Sequence, residues 1–224
     1  NKRDQTPTDE LFKCRLQGVK VLNLVNFFER EAGKILVDFA TPGWMTLTED
    51  LRSNASTSLS KRCFDICASF ILLMATWPLM LVTALAIYLE DGIKAPIFFS
   101  QERVGLNGKA FRVLKFRSMS VDAEKDGKAR WATENDTRVT RVGSFIRRTR
   151  IDELPQIFNV LAGEMAFIGP RPERPEFVKQ LVEQIPYYNS RHAVKPGITG
   201  WAQLCYPYGA SEEDARQKLQ FDLY

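Results

Sequence analysis

The chain has 224 residues, 45% of them hydrophobic, which is enough apolar material for the core of one medium-sized domain with a small appendage. This content excludes a disordered protein, and a formal net charge of +4 leaves the uneven placement of charge as the informative feature. Four cysteines without a CxxC pair and a single histidine do not match the ligand spacing of a zinc site. That histidine, His192, is expected to be structural, because no Ser-His-Asp triad is evident around it.

The first 60 residues predict the end of one domain followed by a linker. Residues 9–47 combine an amphipathic stretch, an apolar run and a helix predicted around 27–33, as in the tail of a β/α unit. We therefore expect residues 1–50 to be the C-terminal remnant of an α/β domain, and the small polar residues of 51–60 to form a linker. The chain starts without methionine and stops without a terminating pattern, so we expect it to be part of a longer protein.

An uncharged apolar segment follows the linker. Residues 66–89 carry no charge, and as a straight helix they would measure about 36 Å, against roughly 30 Å for the apolar core of a bilayer. Pro78 lies near the centre of the segment, where it removes a backbone hydrogen bond and predicts a kink. Two interpretations stay open: a membrane-spanning helix, and a re-entrant helix that enters and leaves by the same face. Length and lack of charge disfavour a buried core helix.

Two β-rich runs flank Asn107-Gly108 and predict a hairpin. Asn-Gly is a favoured pair for the type I′ turn between antiparallel strands, because both central residues of that turn need positive φ. The stretch 105–109 lacks the spacing and the Ser or Thr of a phosphate-binding loop, so a hairpin is the better interpretation. Residues 121–137 are charged and mixed, and we expect a surface loop there.

The strongest chemical signal is the acid pair Asp152 and Glu153, which directly follows a basic run that ends at Arg150. Guanidinium groups suit phosphate oxygens, so this neighbourhood predicts a phosphorylated substrate. Pro155 places both acids at the start of a helix predicted over 153–162. The free amides and the dipole of a helix N-terminus favour phosphate and keep a carboxylate ionised.

A purely structural role for Asp152 is the alternative. The spacing from Thr149 to Asp152 fits a capping box, in which Asp152 would only cap backbone amides. A carboxylate that acts as a nucleophile must be ionised. Two adjacent carboxylates near phosphate also suit Mg²⁺, which bridges protein carboxylates and substrate phosphates. We therefore predict that one acid attacks while the other helps to hold the metal, with Asp152 and Glu153 as the metal site.

The basic residues near the acids are candidate substrate contacts. We select Arg147 to bind the transferred phosphate, whereas Arg148 and Arg150 are expected to face lipid headgroups or solvent. The stiff turn Pro170-Arg171-Pro172 presents one guanidinium to a nucleotide phosphate or base, with an ordinary loop arginine as the alternative. A second helix is predicted over 174–184, directly after this turn.

Seven short motifs stand in order along the chain: Lys61-Arg62-Cys63-Phe64-Asp65, Gln101-Glu102-Arg103-Val104-Gly105, Lys115-Phe116-Arg117-Ser118-Met119, Asp152-Glu153-Leu154-Pro155-Gln156, Gly163-Glu164-Met165, Gly169-Pro170-Arg171-Pro172 and Lys195-Pro196-Gly197-Ile198-Thr199-Gly200-Trp201-Ala202-Gln203. Together they resemble the bacterial sugar transferases, which are polyprenyl-phosphate phosphoglycosyl transferases of the monotopic type. The resemblance covers residues 60–224. Its motifs add Arg103, Lys115 and Arg117 as candidates for binding the substrate phosphate and the nucleotide.

The resemblance implies transfer of a sugar 1-phosphate from a UDP-sugar to undecaprenyl phosphate, with release of UMP, to initiate exopolysaccharide or O-antigen biosynthesis. It makes Asp152 the nucleophile, which would form a covalent aspartyl phosphosugar, with Mg²⁺ required and Glu153 assisting. It places the protein at the bacterial inner membrane, with the catalytic domain on the cytoplasmic face. The implied partners are the UDP-sugar, undecaprenyl phosphate and membrane lipids; a homodimer is a candidate assembly, and nucleic acid is not a partner.

The expected fold class is α/β, with a helix-rich monotopic membrane catalytic domain over 93–224 that contains a small β-hairpin. A re-entrant membrane helix over 61–92 precedes it, and the end of an α/β domain, nucleotide-binding-like by resemblance, precedes the helix. In the family this helix breaks near a Ser-Pro pair, whereas the present chain has Trp77-Pro78, with Thr76 available in place of the serine.

A catalytically inert module is the alternative function. In that interpretation the chain is a membrane-anchored basic binding or scaffold module, and its acids only cap a helix. The adjacent Asp152 and Glu153 and the ordered motifs favour the enzyme.

Overall fold

The fold is mostly helical, with two small sheets and one long apolar helix. A computed structural model of the chain describes residues 7–40, 55–92, 95–123, 136–206, 209 and 211–224. The α-helices are α1 (Thr8–Leu16), α2 (Leu24–Ala32), α3 (Ala55–Asp91), α4 (Arg141–Arg148), α5 (Gln156–Ala162), α6 (Pro175–Gln184), α7 (Trp201–Cys205) and α8 (Glu212–Asp222). The strands are β1 (Phe98–Val104), β2 (Ala110–Phe116), β3 (Ala166–Ile168) and β4 (Gly197–Thr199). The helix-rich expectation is therefore confirmed.

The N-terminal segment packs on the C-terminal helices. Helix α2 begins after Asn23, whose side chain accepts a hydrogen bond from the Asn26 amide, and ends at Gly33 in the left-handed conformation. The largest core cluster combines residues of this segment with residues of α6 and α8: Val25, Ile35, Val37, Ala40, Val178, Leu181, Leu219 and Leu223. Residues 7–40 contain helices and no strand, so the remnant predicted over 1–50 has no β component there. Residues 1–6 and 41–50 of that prediction lie outside the described residues.

Helix α3 begins earlier than expected and continues through its proline. Its first residue is Ala55, so the second half of the linker predicted over 51–60 is helical, and 51–54 lies outside the described residues. Pro78 lies inside the continuous helix, and no residue from 70 to 82 is buried. Within α3, the span Ser58–Asp91 contains an 18-residue window with a mean hydropathy of 2.2 and is long and apolar enough to cross a membrane.

The N-terminal end of α3 is attached to the rest of the domain by polar side chains. Arg62 donates to the carbonyls of Val160 and Leu161 at the C-terminal end of α5, at 2.5 and 2.7 Å. Asp65 is buried and accepts a hydrogen bond from the Phe167 amide of β3 at 3.1 Å. A cation at a helix C-terminus also interacts favourably with the helix dipole, so Arg62 fixes α5 as well as α3.

The C-terminal end of α3 is attached to the same domain. The Glu90 carboxylate accepts hydrogen bonds from the amides of Arg141 and Val142, so it caps the N-terminus of α4. Asp91 pairs with Arg117 at 2.9 Å, just after β2. The helix is therefore held near both ends and exposed in its middle.

Strands β1 and β2 form the predicted antiparallel hairpin, with Val104 opposite Ala110. Asn107 and Gly108 both have positive φ, at 55° and 75°, and the Lys109 amide donates to the carbonyl of residue 106. These are the features of a type I′ turn, so the predicted turn is confirmed.

The other sheet is a parallel pair, β3 and β4, that supports the Pro170-Arg171-Pro172 turn. A side chain on Gly169 would lie 2.3 Å from the carbonyl oxygen of Lys195, so glycine is the residue that allows this approach. The turn that carries Arg171 is thus fixed at its base by close backbone contact.

Candidate active site

The acid pair lies in a tight turn between α4 and α5. Helix α4 ends at Arg148 and is followed by Thr149, and residues 151–153 form one turn of 3₁₀-helix before α5 begins at Gln156. Pro155 immediately precedes α5, as expected for a proline at a helix start. The Thr149 hydroxyl donates to the carbonyl of Phe145 and caps no amide of this turn, so the capping box considered for Asp152 is not formed.

Glu153 is surrounded by cations. Its Oε1 accepts hydrogen bonds from Lys115 Nζ and Arg171 Nη2, both at 2.8 Å, and lies 3.6 Å from Nη1 of Arg150. Burial by itself would raise the pKa of Glu153, but the charges and hydrogen bonds of Arg171 and Lys115 lower it to about 2. Glu153 is therefore ionised at any physiological pH.

Asp152 is buried without being satisfied. Only 8% of the residue is exposed, and its Oδ1 has no hydrogen-bond partner in the part of the chain that the structure describes. Burial raises the pKa of Asp152, and the charges of Lys115, Arg147 and Arg150 oppose that rise. The predicted helix start favoured an ionised Asp152, but burial outweighs that effect. The pKa values of the two neighbouring acids therefore shift in opposite directions.

Lys115 reaches Glu153 because α5 and β2 are joined by one amide side chain. Asn159, buried in α5, accepts a hydrogen bond from the Leu114 amide and donates to the carbonyl of Arg112, at 2.9 and 2.8 Å. It thereby pairs with the outer edge of β2 as a neighbouring strand would. Burial lowers the pKa of Lys115, and the Glu153 carboxylate opposes that shift. Sequence reasoning missed Asn159, which lies outside every motif used.

Arg171 is held from two sides. Its guanidinium binds Glu153 through Nη2 and reaches Gln203 Oε1 through Nη1 at 3.3 Å. Its backbone carbonyl accepts a hydrogen bond from Arg191 at 2.9 Å, and Arg191 is itself paired with Asp222 at 2.7 Å. The structure thus brings Arg171 to the acid pair.

The other predicted arginines have three different environments. Arg147 is close enough for its charge to lower the pKa of Asp152. Arg103 donates to the carbonyl of Pro172, beside the Arg171 turn. Arg117 is buried and bonded to Asp91 and to the backbone, so its described contacts anchor α3.

His192 is enclosed next to Arg191. Burial, followed by the charge of Arg191, lowers the pKa of His192 to about 4, so the imidazole is neutral at pH 7. Its ring lies edge-on to Tyr188, with centroids 6.3 Å apart. These contacts agree with the structural role expected for this residue.

Comparison with known proteins gives the geometry its context. The family model described as bacterial sugar transferase matches residues 56–224. The chain belongs to this family. The resemblance read from the seven motifs is therefore confirmed, and the match contains the acid pair, Lys115 and Arg171.

Curated relatives are similar over most of the chain. A UDP-N-acetylgalactosamine-undecaprenyl-phosphate N-acetylgalactosaminephosphotransferase from Aeromonas hydrophila is 42% identical over 96% of this chain. A UDP-glucose:undecaprenyl-phosphate glucose-1-phosphate transferase from Xanthomonas campestris pv. campestris is 44% identical over 74% of it. A putative undecaprenyl-phosphate N-acetylgalactosaminyl 1-phosphate transferase from Bacillus subtilis (strain 168) is 52% identical over 58% of this chain and 72% of its own length. The chain spans 49% of the Aeromonas relative and 34% of the Xanthomonas relative.

Proposed function

We propose that the protein transfers a sugar 1-phosphate from a UDP-sugar to undecaprenyl phosphate, releases UMP and initiates synthesis of a bacterial polysaccharide. The observation that carries this proposal is that Asp152 Oδ1 has no hydrogen-bond partner among the described residues, beside a Glu153 that is held by cations. The membership of the family and the names of the relatives support the substrate classes. Those names differ in the sugar, so the sugar is left to experiment.

In the proposed chemistry Asp152 is the nucleophile. Its carboxylate oxygen attacks the phosphorus that bears the sugar, a P–O bond of the diphosphate breaks, and UMP leaves. The acceptor phosphate oxygen then attacks the aspartyl phosphosugar, the acyl phosphate bond breaks, and the Asp152 carboxylate is regenerated. The absence of a hydrogen-bond partner on Oδ1 supports this role, because a carboxylate that is fully engaged by donors is a poorer nucleophile.

The surrounding cations are proposed to neutralise phosphate charge. Four of them face two carboxylates, which leaves an excess of positive charge for an anionic ligand: Lys115, Arg147, Arg150 and Arg171. Positioned cations of this kind stabilise the charge on a phosphoryl group during in-line transfer. Glu153 orients both Lys115 and Arg171 through one of its two carboxylate oxygens, Oε1.

The acid pair also fits a magnesium ion that the substrate helps to hold. In the described residues no group of three or more His, Cys, Asp and Glu side chains forms a metal site by itself. Mg²⁺ in phosphate chemistry typically takes one or two carboxylates and completes its shell with phosphate oxygens and water. Asp152 and Glu153 would supply those carboxylates, and the ion would neutralise the diphosphate charge.

We propose that α3 is re-entrant, with both ends and the catalytic domain on the cytoplasmic face of the inner membrane. As a straight helix, Arg62 and Glu90 would be about 42 Å apart, farther than the roughly 30 Å apolar core of a bilayer. Both ends nevertheless contact the same domain, Arg62 through α5 and Glu90 through α4. A helix that spans the membrane would place these two ends on opposite faces. The exposed stretch 70–82, which contains Pro78, is then the part that enters the membrane.

The topology is tested by labelling single cysteines, Lys61→Cys and Ala95→Cys, in a variant whose native cysteines are replaced. A membrane-impermeant maleimide is applied to right-side-out and inverted vesicles. We expect both positions to react only in inverted vesicles. Reaction of the two positions from opposite faces would establish a spanning helix instead.

The activity is tested by UMP release from the full-length protein in liposomes, with a panel of UDP-sugars, Mg²⁺, and undecaprenyl phosphate present or omitted. We expect release with at least one sugar, accumulation of a lipid-linked sugar diphosphate, and loss of both on chelation of Mg²⁺. A folded, membrane-bound protein that releases no UMP from any sugar would favour the inert binding or scaffold module. Such a module would bind anionic lipid with a steep salt dependence and no requirement for Mg²⁺.

A further inference from the structure

Arg150 has a backbone conformation that its residue type disfavours. It lies directly after Thr149, the residue that follows α4, and has φ 61° and ψ 14°, in the left-handed region. Helices commonly end with a residue in this conformation, and that residue is usually glycine because a β-carbon is strained there. The neighbouring turn maintains the conformation, since the Arg150 carbonyl accepts a hydrogen bond from the Glu153 amide at 3.2 Å.

The turn holds the backbone of Arg150 in this conformation, but it does not explain why an arginine stands at this position instead of a glycine. Two other non-glycine residues in the described part of the chain have positive φ, Asn107 and Tyr187. Asn107 belongs to the hairpin turn, where asparagine is favoured, and Tyr187 packs against the main core cluster. Arg150 has neither reason, because its side chain is 58% exposed. Strained backbone positions cluster at active sites and ligand-binding sites, which makes Arg150 a candidate for a ligand contact.

The side chain of Arg150 points to the acid pair but makes no hydrogen bond to Glu153. Its Nη1 lies 3.6 Å from Glu153 Oε1, beyond hydrogen-bond distance, whereas Lys115 and Arg171 bind that oxygen at 2.8 Å. Lys115 and Arg171 therefore neutralise Glu153, and Arg150 retains its donors. A guanidinium with exposed donors beside an unpartnered carboxylate is a suitable contact for a phosphate group that arrives from solvent or from the membrane surface.

We propose that Arg150 binds a phosphate group of the substrate at the acid pair, and that the left-handed backbone is retained because it directs this guanidinium at the site. The inference rests on the proposed transferase function and adds to it a substrate contact that the sequence had assigned to lipid or solvent. The phosphate belongs either to the UDP-sugar or to the polyprenyl phosphate, and the two sources are separated by kinetics.

The test uses three substitutions at one position. Arg150→Asn removes the charge with a residue that tolerates the left-handed region, Arg150→Gly removes both charge and strain, and Arg150→Lys keeps the charge. Arg148→Asn is the matched control, because Arg148 is an exposed arginine in the last turn of α4. Each full-length variant is reconstituted in liposomes, and its melting temperature is measured with and without UDP-sugar.

We expect Arg150→Asn and Arg150→Gly to raise the KM for one substrate by about tenfold, the usual scale for loss of a charge-assisted hydrogen bond. A rise in the KM for the UDP-sugar at saturating lipid identifies the donor phosphate, and a rise in the KM for undecaprenyl phosphate at saturating donor identifies the lipid. Arg150→Lys should recover part of the loss, and Arg148→Asn should behave as the wild type. Arg150→Gly should also melt at a higher temperature than the wild type, because the strain is relieved.

Arg150→Gly is expected to be more stable and to bind one substrate more weakly, and this combination separates a substrate contact from a structural role. If Arg150 only supported Glu153 through an ion pair, Arg150→Gly would melt lower and both KM values would stay within twofold of wild type, which would overturn the proposal. If the wild type is active and Arg150→Asn has the same KM for both substrates, the proposal is overturned and the transferase function stands. Inactive wild-type protein would instead refute the transferase function. Thermal stabilisation by UDP-sugar and by undecaprenyl phosphate that are both unchanged in Arg150→Asn would then refute the contact as well.

Discussion

Two arrangements of arginine and carboxylate lie side by side in this domain, and they are built differently. Arg191 and Asp222 form a closed pair at 2.7 Å, with side chains 5% and 3% exposed. Burial by itself would lower the pKa of Arg191, but the Asp222 carboxylate raises it. Burial raises the pKa of Asp222, and the charge and hydrogen bond of Arg191 oppose that rise. The acid pair is open: Glu153 is shared by three cations, and Asp152 Oδ1 has no partner among the described residues.

The difference separates a structural arrangement from a reactive one. The buried pair of Arg191 and Asp222 neutralises its own charge, and Arg191 also holds the Arg171 carbonyl in place. The open arrangement has excess positive charge and a carboxylate oxygen, Asp152 Oδ1, without a partner among the described residues. A buried polar atom without a partner lowers stability, so this arrangement is expected at a site where a ligand supplies the missing contacts. The following predictions test this contrast.

The largest effect is expected from Asp152→Asn. Activity should fall by about 10³-fold or more, because the amide is not a nucleophile. Thermal stability should stay equal or increase, since the isosteric amide removes a carboxylate whose ionised form burial disfavours. UMP release and melting temperature are measured on the same preparation, with Asp38→Asn as the surface control. An Asp152→Asn protein with a tenth of wild-type activity would exclude Asp152 as the nucleophile.

Breaking the pair of Arg191 and Asp222 should lower the stability of the protein more than its activity. Asp222→Asn leaves a buried guanidinium without its counter-charge, and a loss of about 3–5 kcal/mol in the free energy of unfolding is expected from denaturant titration. The control is again Asp38→Asn, because Asp38 pairs with Arg216 at the same 2.7 Å with an Asp38 side chain that is 56% exposed. Loss of that surface pair should lower the free energy of unfolding by only roughly 0–1 kcal/mol. Equal losses in the two variants would remove the basis of the contrast.

A smaller effect on the rate is expected from Lys115→Met. The substitution removes one of the two close cations on Glu153, so the pKa of Glu153 should rise above about 2 and the site should lose positive charge. We expect kcat/KM to fall by about 10–100-fold with little change in melting temperature. Lys109→Met, on the exposed end of the same hairpin, is the matched control. If the two variants had the same kcat/KM, Lys115 would have no part in the reaction.

The smallest effect is a pH dependence of stability that originates at His192. The pKa of His192 is about 4 in the folded protein and 6.5 for an ordinary histidine, so between these values the unfolded chain binds a proton and the folded chain does not. Stability therefore falls as pH is lowered from 7 to 5, by about 2 kcal/mol from this group. Urea titrations at both pH values should show a smaller difference in His192→Gln. An unchanged difference would place the pH dependence elsewhere.

Local sequence patterns predicted the elements that depend on near neighbours. Asn107-Gly108 predicted the turn between β1 and β2, and the uncharged run predicted one long apolar helix. Boundaries were less accurate: α3 starts at Ala55 inside the predicted linker, because helix formation there depends on propagation from the apolar run rather than on the polar residues themselves.

The candidate site was predicted only in part. The acid pair, Lys115 and Arg171 were found from motifs, and the structure brings them together. Arg150 was assigned to lipid or solvent because spacing cannot show a left-handed backbone, which here is set by the turn around it. Asn159 was missed because a buried amide that pairs with a strand edge has no local signature.

The sequence by itself therefore determined the family, the acid pair, the surplus of arginine beside it and the apolar helix, since each depends on residues adjacent in the chain. Only the tertiary structure decided which cations reach Glu153, because Lys115 and Arg171 are 38 and 18 positions away from it. Tertiary structure also decided that the pKa of Asp152 is raised while that of Glu153 is lowered. Burial and the position of distant charges control these shifts, and neither is a property of the local sequence.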